Sequence, residues 1–195
     1  QILHRELQHR VKNTLSMITS LVGLETVLSH DPGVLGALER LQGRIQALSK
    51  LYSLLYESED SKYLRLDHYL GAVGNSIMDA YWRTGREIEL SMELGEVLID
   101  AGRASSLGLI LNELLTNALK HANFGNGAGT IKVTLSVSGD DLLMAVSDTG
   151  AATRSDGTRG LGIELVKMLA HQLGGSLECD DRGGSSFTVR ARRGA

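Results

Sequence analysis

Residues 112–122, NELLTNALKHA, decide how the rest of the chain is read. Glu113, Asn117, Lys120 and His121 fall at i, i+4, i+7 and i+8, close to one stripe of a helix. Leu111, Leu114, Leu115, Ala118 and Leu119 cover most of the other sides. A helix that is apolar over most of its circumference is largely buried. Its polar stripe must then face a cavity, a partner or a ligand, because a buried polar group without a partner costs several kcal/mol.

Two more clusters lie downstream. DTG, Asp148–Gly150, directly follows the alternating run DLLMAVSD. A carboxylate fixed at a strand end can accept a hydrogen bond from an exocyclic amine such as adenine N6, and Gly150 lets a ligand approach the backbone closely. GTRGLG, Gly157–Gly162, opens the helical run LGIELVKMLAHQLGG. Free amides at a glycine-rich helix start suit phosphates. The Asn117 side-chain oxygen suits Mg²⁺, a hard cation that usually keeps several waters. Taken in order, the three clusters supply a metal-facing stripe, an adenine acceptor and a phosphate cradle.

Around them the pattern is α+β. LDHYLGAVGNSIMDAYW reads as a helix with Leu66, Tyr69, Leu70, Val73, Ile77 and Tyr81 on one side. EIELSMEL (87–94) reads as a strand. TIKVTLSVSG and DLLMAVSD form a hairpin through Gly139-Asp140, and SLECDD and SSFTVRARR form a last hairpin around RGG. The expectation is a sandwich of a mixed sheet with helices on one face. Residues 3–29 and 33–58 read differently, as two long amphipathic helices broken at Pro32. Leu7, Val11, Leu15, Ile18 and Val22 make the seam of the first. Leu38, Leu41, Ile45, Leu48, Tyr52 and Leu55 make that of the second. The hairpin leaves an apolar face open, and a second copy would close it into a four-helix bundle. ESEDSKY (57–63) is the linker, so the expected domains are 1–62 and 63–195.

The totals set bounds. A net charge of −3 gives no support to nucleic-acid binding, and no apolar run reaches a membrane span. The single cysteine, Cys179, excludes an intrachain disulfide and fits a reducing, cytoplasmic setting. The chain starts at Gln1 inside a helical pattern, which reads as a piece of a longer protein.

The second part resembles the ATP-binding domain of sensor histidine kinases, within the group that includes the gyrase and Hsp90-type ATPases, known as the Bergerat-type fold. NELLTNALKHA resembles the N box, DTG the G1 box and GTRGLG the G2 box; GGSSF (183–187) resembles the last motif. The resemblance implies ATP and Mg²⁺ as cofactors. Asn117 would coordinate Mg²⁺ and Glu113 would orient or polarise the reacting groups. Lys120 and His121 would contact phosphates, Asp148 and Gly150 would hold adenine, and the Gly160–Leu161–Gly162 backbone would offer amides. Ser185 would supply the hydroxyl near the adenine aspartate. Two departures stand out: Ala152 replaces the second glycine of the G1 box, and the lid segment, 151–159, is short. No clear F box is present.

ELQHRVKN, Glu6–Asn13, resembles the phosphoacceptor segment of the histidine-kinase subfamily with an H-R-x-x-N signature, related to the HWE kinases. The resemblance makes His9 the phosphate acceptor, with Arg10 where most such kinases carry an acid, and Tyr52 in place of the usual second-helix histidine. Glu6 lies one turn before His9 and could act as the base; Asn13, one turn after, could position a water. The implied function is ATP-dependent autophosphorylation on His9, then transfer to an aspartate of a response-regulator receiver domain. A phosphotransferase or response-regulator phosphatase with a degenerate ATP site is the alternative, and a non-enzymatic dimerisation module the third reading.

Overall fold

The computed structural model of the chain describes residues 2–57, 63–81, 87–122, 124, 128–150, 161–180 and 185–193, with backbone alone at 2–10, 12, 55–57, 87, 121 and 161. Helices α1 (Ile2–Leu28) and α2 (Pro32–Glu57) form the expected hairpin. Pro32 does more than interrupt: it is the first residue of α2, where its missing N–H is no loss. The Asp31 carboxylate caps this end, accepting from the N–H groups of Gly33 at 2.7 Å and Val34 at 3.2 Å.

The hairpin seams differ from expectation. On α1 Val22 is buried but Ile18 is exposed, and Met17, Leu21, Leu24 and Val27 stand in solvent. On α2 Ile45 is buried, whereas Leu41 and Tyr52 are exposed. The most buried face of α2 runs instead through Ala47 and Leu51, because it is turned toward the second half of the chain. Tyr69 seals that junction: its buried hydroxyl donates to the Ala47 carbonyl at 3.1 Å.

That second half contains β1 (Tyr63–Arg65), α3 (Leu66–Tyr81), β2 (Glu87–Leu94), β3 (Leu98–Asp100), α4 (Ala101–His121), β4 (Ala128–Ser138), β5 (Asp141–Asp148), α5 (Leu161–Gln172), β6 (Ser176–Asp180) and β7 (Ser186–Arg192). Five strands form one sheet in the order β2-β4-β5-β7-β6. β2 and β4 run parallel and the other neighbours antiparallel, so the sheet is mixed, as expected. β1 and β3 form a separate antiparallel ribbon. Each is three residues long, too short to show alternation in the sequence.

Ile131, Val133 and Leu135 of β4 and Leu142, Met144 and Val146 of β5 are buried on one sheet face, beneath the helices. The β4–β5 turn uses Gly139 at φ +61°. α5 ends at Gly174, φ +72°, with Gly175 N–H on the Ala170 carbonyl and Gly174 N–H on that of His171. α3 buries Leu66, Tyr69, Leu70 and Val73, the face its sequence marks.

Candidate functional site

α4 carries the site. Asp100 starts it by accepting from the N–H groups of Gly102 and Arg103. Leu107, Ile110, Leu111, Leu114, Leu115 and Leu119 then anchor it in the core. The anchoring aims Glu113 and Asn117 at the first turn of α5. A Cβ placed on Gly162 would lie 2.7 Å from Glu113 Oε2 and 3.8 Å from Asn117 Nδ2. Any side chain here would force Glu113 or α5 to shift, so the polar stripe of α4 meets the start of α5 at backbone range.

At the end of β5, Asp148 is set in a braced corner. Its N–H donates to the Ser185 carbonyl at 3.0 Å, and its Oδ1 accepts from Gly150 N–H at 2.9 Å. Thr149 N–H donates to the Thr130 carbonyl, and Thr149 Oγ1 accepts from Thr130 N–H, pinning the corner to β4. Burial pushes the Asp148 carboxyl above the ordinary carboxylate range, while hydrogen bonds from the Gly150 and Ser185 backbones pull it back. The DTG turn is thus a rigid acceptor, half out of water.

The structure brings Glu113, Asn117 and Gly162 together, and separately Asp148, Gly150 and Ser185. His121 ends α4 and Leu161 begins α5, with no side chain described for either. Gly160, Gly157, Ala152, the 151–159 lid segment, Gly183, Gly184 and linker residues 58–62 lie outside the described residues. His9 lies on α1, with backbone alone described, and Asn13 is exposed on the same helix. Among the described residues, no group of three or more His, Cys, Asp or Glu could hold a metal ion unaided. A Mg²⁺ ion here fits Asn117 only as one oxygen donor alongside phosphate oxygens and waters, which is how Mg²⁺ is usually held.

The stripe on α4 does not open onto an empty cavity along its length. Glu113, 2% exposed, pairs through Oε1 with Arg44 Nε of α2 at 2.9 Å. Lys120 Nζ meets Glu39 Oε2, also of α2, at 2.7 Å. Next to the first pair, Gly43 lies so close to Asn112 that an added Cβ would stand 2.7 Å from its Oδ1. A buried carboxylate without a partner is strongly unfavourable, so Arg44 accounts for the burial of Glu113. Glu39, Gly43 and Arg44 were not anticipated from sequence. The available signal was Gly43 itself, a glycine inside an otherwise helical run, which marks close packing.

A model described as "Histidine kinase" matches residues 6–81. One described as "Histidine kinase-, DNA gyrase B-, and HSP90-like ATPase" matches residues 102–194. The chain is 31% identical over 193 residues to blue-light-activated histidine kinase 2 of Erythrobacter litoralis, covering 94% of this chain and 54% of that protein. It is 27% identical over 197 residues to the sensor histidine kinase PdtaS of Mycolicibacterium smegmatis, covering 95% and 38%. The chain thus spans about half the length, or less, of the curated relatives it matches. Among solved structures, the histidine kinase domain of the Erythrobacter litoralis EL346 blue-light activated histidine kinase superposes with a TM-score of 0.72 at 28% identity, covering 97% of this chain and 90% of that one. Acinetobacter baumannii histidine kinase AdeS shares the fold, with a TM-score of 0.54 at 21% identity, covering 94% and 97%.

Proposed function

This chain belongs to the histidine kinases, and we propose that it is a catalytic core that phosphorylates its own His9 from ATP and passes the phosphoryl group to an aspartate of a response-regulator receiver domain. Residues 1–62 act as the dimerisation and phosphotransfer hairpin and residues 63–195 as the ATP-binding domain. The observation that carries the reading is the convergence of Glu113, Asn117 and Gly162 at backbone range, with the braced Asp148 as a second anchor.

Asp148 accepts the adenine amine, which no neutral side chain at that corner would do as strongly. Ser185 lies beside it. The amides around Gly160, Leu161 and Gly162, at the start of α5, receive phosphate oxygens, as does Lys120, with His121 one residue on. Asn117 offers a hard oxygen to Mg²⁺, which when bound neutralises phosphate charge. Glu113 orients the reacting groups. An imidazole nitrogen of His9 attacks the γ-phosphorus; the new N–P bond forms as the bond to the bridging oxygen breaks, and ADP leaves. Positioning and charge neutralisation supply most of the acceleration. Asn13, exposed on α1, would hold a water for hydrolysis of phosphate from the receiver domain.

The exposed Met17, Leu21, Leu24, Val27 and Leu28 of α1 support pairing with a second copy through the hairpin. No described helix is long and apolar enough to cross a membrane. We assign the core to the cytoplasm, where ATP and receiver domains are found. Incubation with γ-labelled ATP and Mg²⁺ tests the whole reading: label must enter the wild-type chain and not the His9→Ala variant, while both bind ATP. Equal labelling of the two would refute the acceptor. Unlabelled wild type that still discharges a phosphorylated receiver domain would favour the phosphatase alternative.

A further inference from the structure

The geometry points to α2 as a built-in competitor of the nucleotide: the Glu39 carboxylate occupies the lysine that receives phosphate, Arg44 occupies Glu113, and the docked helix holds the kinase off until it is displaced. This rests on the nucleotide site proposed above and adds to it the means of its regulation.

The contact is antiparallel and in register. Glu39 meets Lys120 and Arg44 meets Glu113, so the higher-numbered charge on α2 meets the lower-numbered one on α4, with Gly43 against Asn112 beside the second pair. The five-residue step from Glu39 to Arg44 rises about 7.5 Å, and the seven-residue step from Glu113 to Lys120 about 10.5 Å. Long side chains span the difference. The charges are complementary twice over, acid to base and base to acid, and each falls on a residue of the nucleotide site.

The two pairs are unequal. Lys120 and Glu39 are 36% and 56% exposed, and pairs of that exposure contribute little to fold stability. The Glu39–Lys120 bond is therefore of a strength that a triphosphate can displace. It is also an anion already seated on an anion-binding lysine. The Arg44–Glu113 pair is far more buried and holds a side chain that the reaction needs elsewhere. Gly43 allows the approach, since any side chain there would strike Asn112. Linkage requires reciprocity: whatever factor docking takes from ATP affinity, ATP takes from docking.

The test is a calorimetric titration of Mg²⁺–ATP into the whole chain and into the Glu39→Gln and Gly43→Ala variants, with melting curves for each. Glu39→Gln removes the competing charge. Gly43→Ala loosens the helix–helix contact while leaving all four charged residues in the chain, and replaces a helix glycine by a better helix former. Each variant should bind ATP about two- to fivefold more tightly, the scale of one exposed ion pair, and autophosphorylate faster. Hydrogen exchange across residues 39–47 should rise when a non-hydrolysable ATP analogue binds. Wild type that binds ATP with both variants unchanged or weaker would overturn the competitor role alone. Failure of all three folded proteins to bind ATP would overturn the nucleotide site and the competitor with it. Should Glu39→Gln fail to fold, Gly43→Ala and the exchange measurement on wild type decide.

Discussion

Replacing Gly162 by alanine tests how tightly α4 and α5 are fitted together. The new methyl would stand 2.7 Å from Glu113 Oε2, well inside contact distance. Glu113 has little room to yield: it is 2% exposed and its other oxygen is held by Arg44 at 2.9 Å. If α5 shifts to make room, the change is an overpacking, costing about 1–3 kcal/mol. If Glu113 swings off Arg44 instead, a buried ion pair is broken, at about 3–5 kcal/mol. The smaller cost sets the outcome, so Gly162→Ala should destabilise by about 1–3 kcal/mol, each kcal/mol lowering the melting temperature by about 2–4 °C. Gly23→Ala is the internal control. No atom lies within 4 Å of its added methyl, so relief of a helix glycine alone should stabilise by about 0.5–1 kcal/mol. Denaturant melts of the two variants beside the wild type give the comparison, and ATP titration should show loss of affinity in Gly162→Ala only. Two variants that melt alike would refute the close approach of α5 to Glu113.

Asp148→Asn should raise the stability of the nucleotide-free protein near neutral pH while weakening ATP binding. The sign follows from the folded carboxyl lying above its unfolded value: its favourable contribution is present below the unfolded pKa and lost as pH rises through the folded one. The stability gain should therefore vanish in melts at acid pH, and a gain independent of pH would count against it. Asn117→Ala should leave the unfolding free energy within about 0.5 kcal/mol of wild type yet abolish Mg²⁺-dependent labelling, since the residue is only half-buried; normal labelling would remove the metal role. Tyr69→Phe should cost about 0.5–1.5 kcal/mol by removing the hydrogen bond that ties α3 to the Ala47 carbonyl, read as faster hydrogen exchange in α2. Asn13→Ala should spare labelling of His9 but slow phosphate loss from the receiver domain, and parallel loss of both would leave Asn13 a packing role only.

The fold was legible where a long element carries its own period. α4 announces itself by the Leu111–Leu115–Leu119 repeat, α3 by Leu66 to Val73, and the β4–β5 hairpin by strict alternation across a Gly139 turn. The ribbon of β1 and β3 was not legible, because three residues cannot show a period and their pairing is non-local. The break read at Pro32 holds, and Pro32 also starts the second helix; the capping acid beside it, Asp31, carried that further signal. The seam of α2 was misplaced for a different reason. A leucine stripe predicts one apolar partner, but α2 has two, α1 on one side and α3 with α4 on the other. Its tighter contact is made by small residues, Gly43 and Ala47, which hydrophobicity underweights.

The candidate site divides along the same line. Its motifs could be picked out because each is contiguous: an acid and an amide one turn apart on α4, an acid at a strand end, glycines at a helix start. What faces the α4 stripe could not, because Arg44 lies 69 residues from Glu113 and Glu39 81 residues from Lys120, and an ion pair leaves no periodicity in either partner's segment. The stripe did state a demand, since buried polar groups require partners. Among the described residues α2 supplies those partners, through Arg44 and Glu39. The demand follows from burying Glu113: a carboxylate held out of water must be neutralised, and the Arg44 guanidinium of α2 does this.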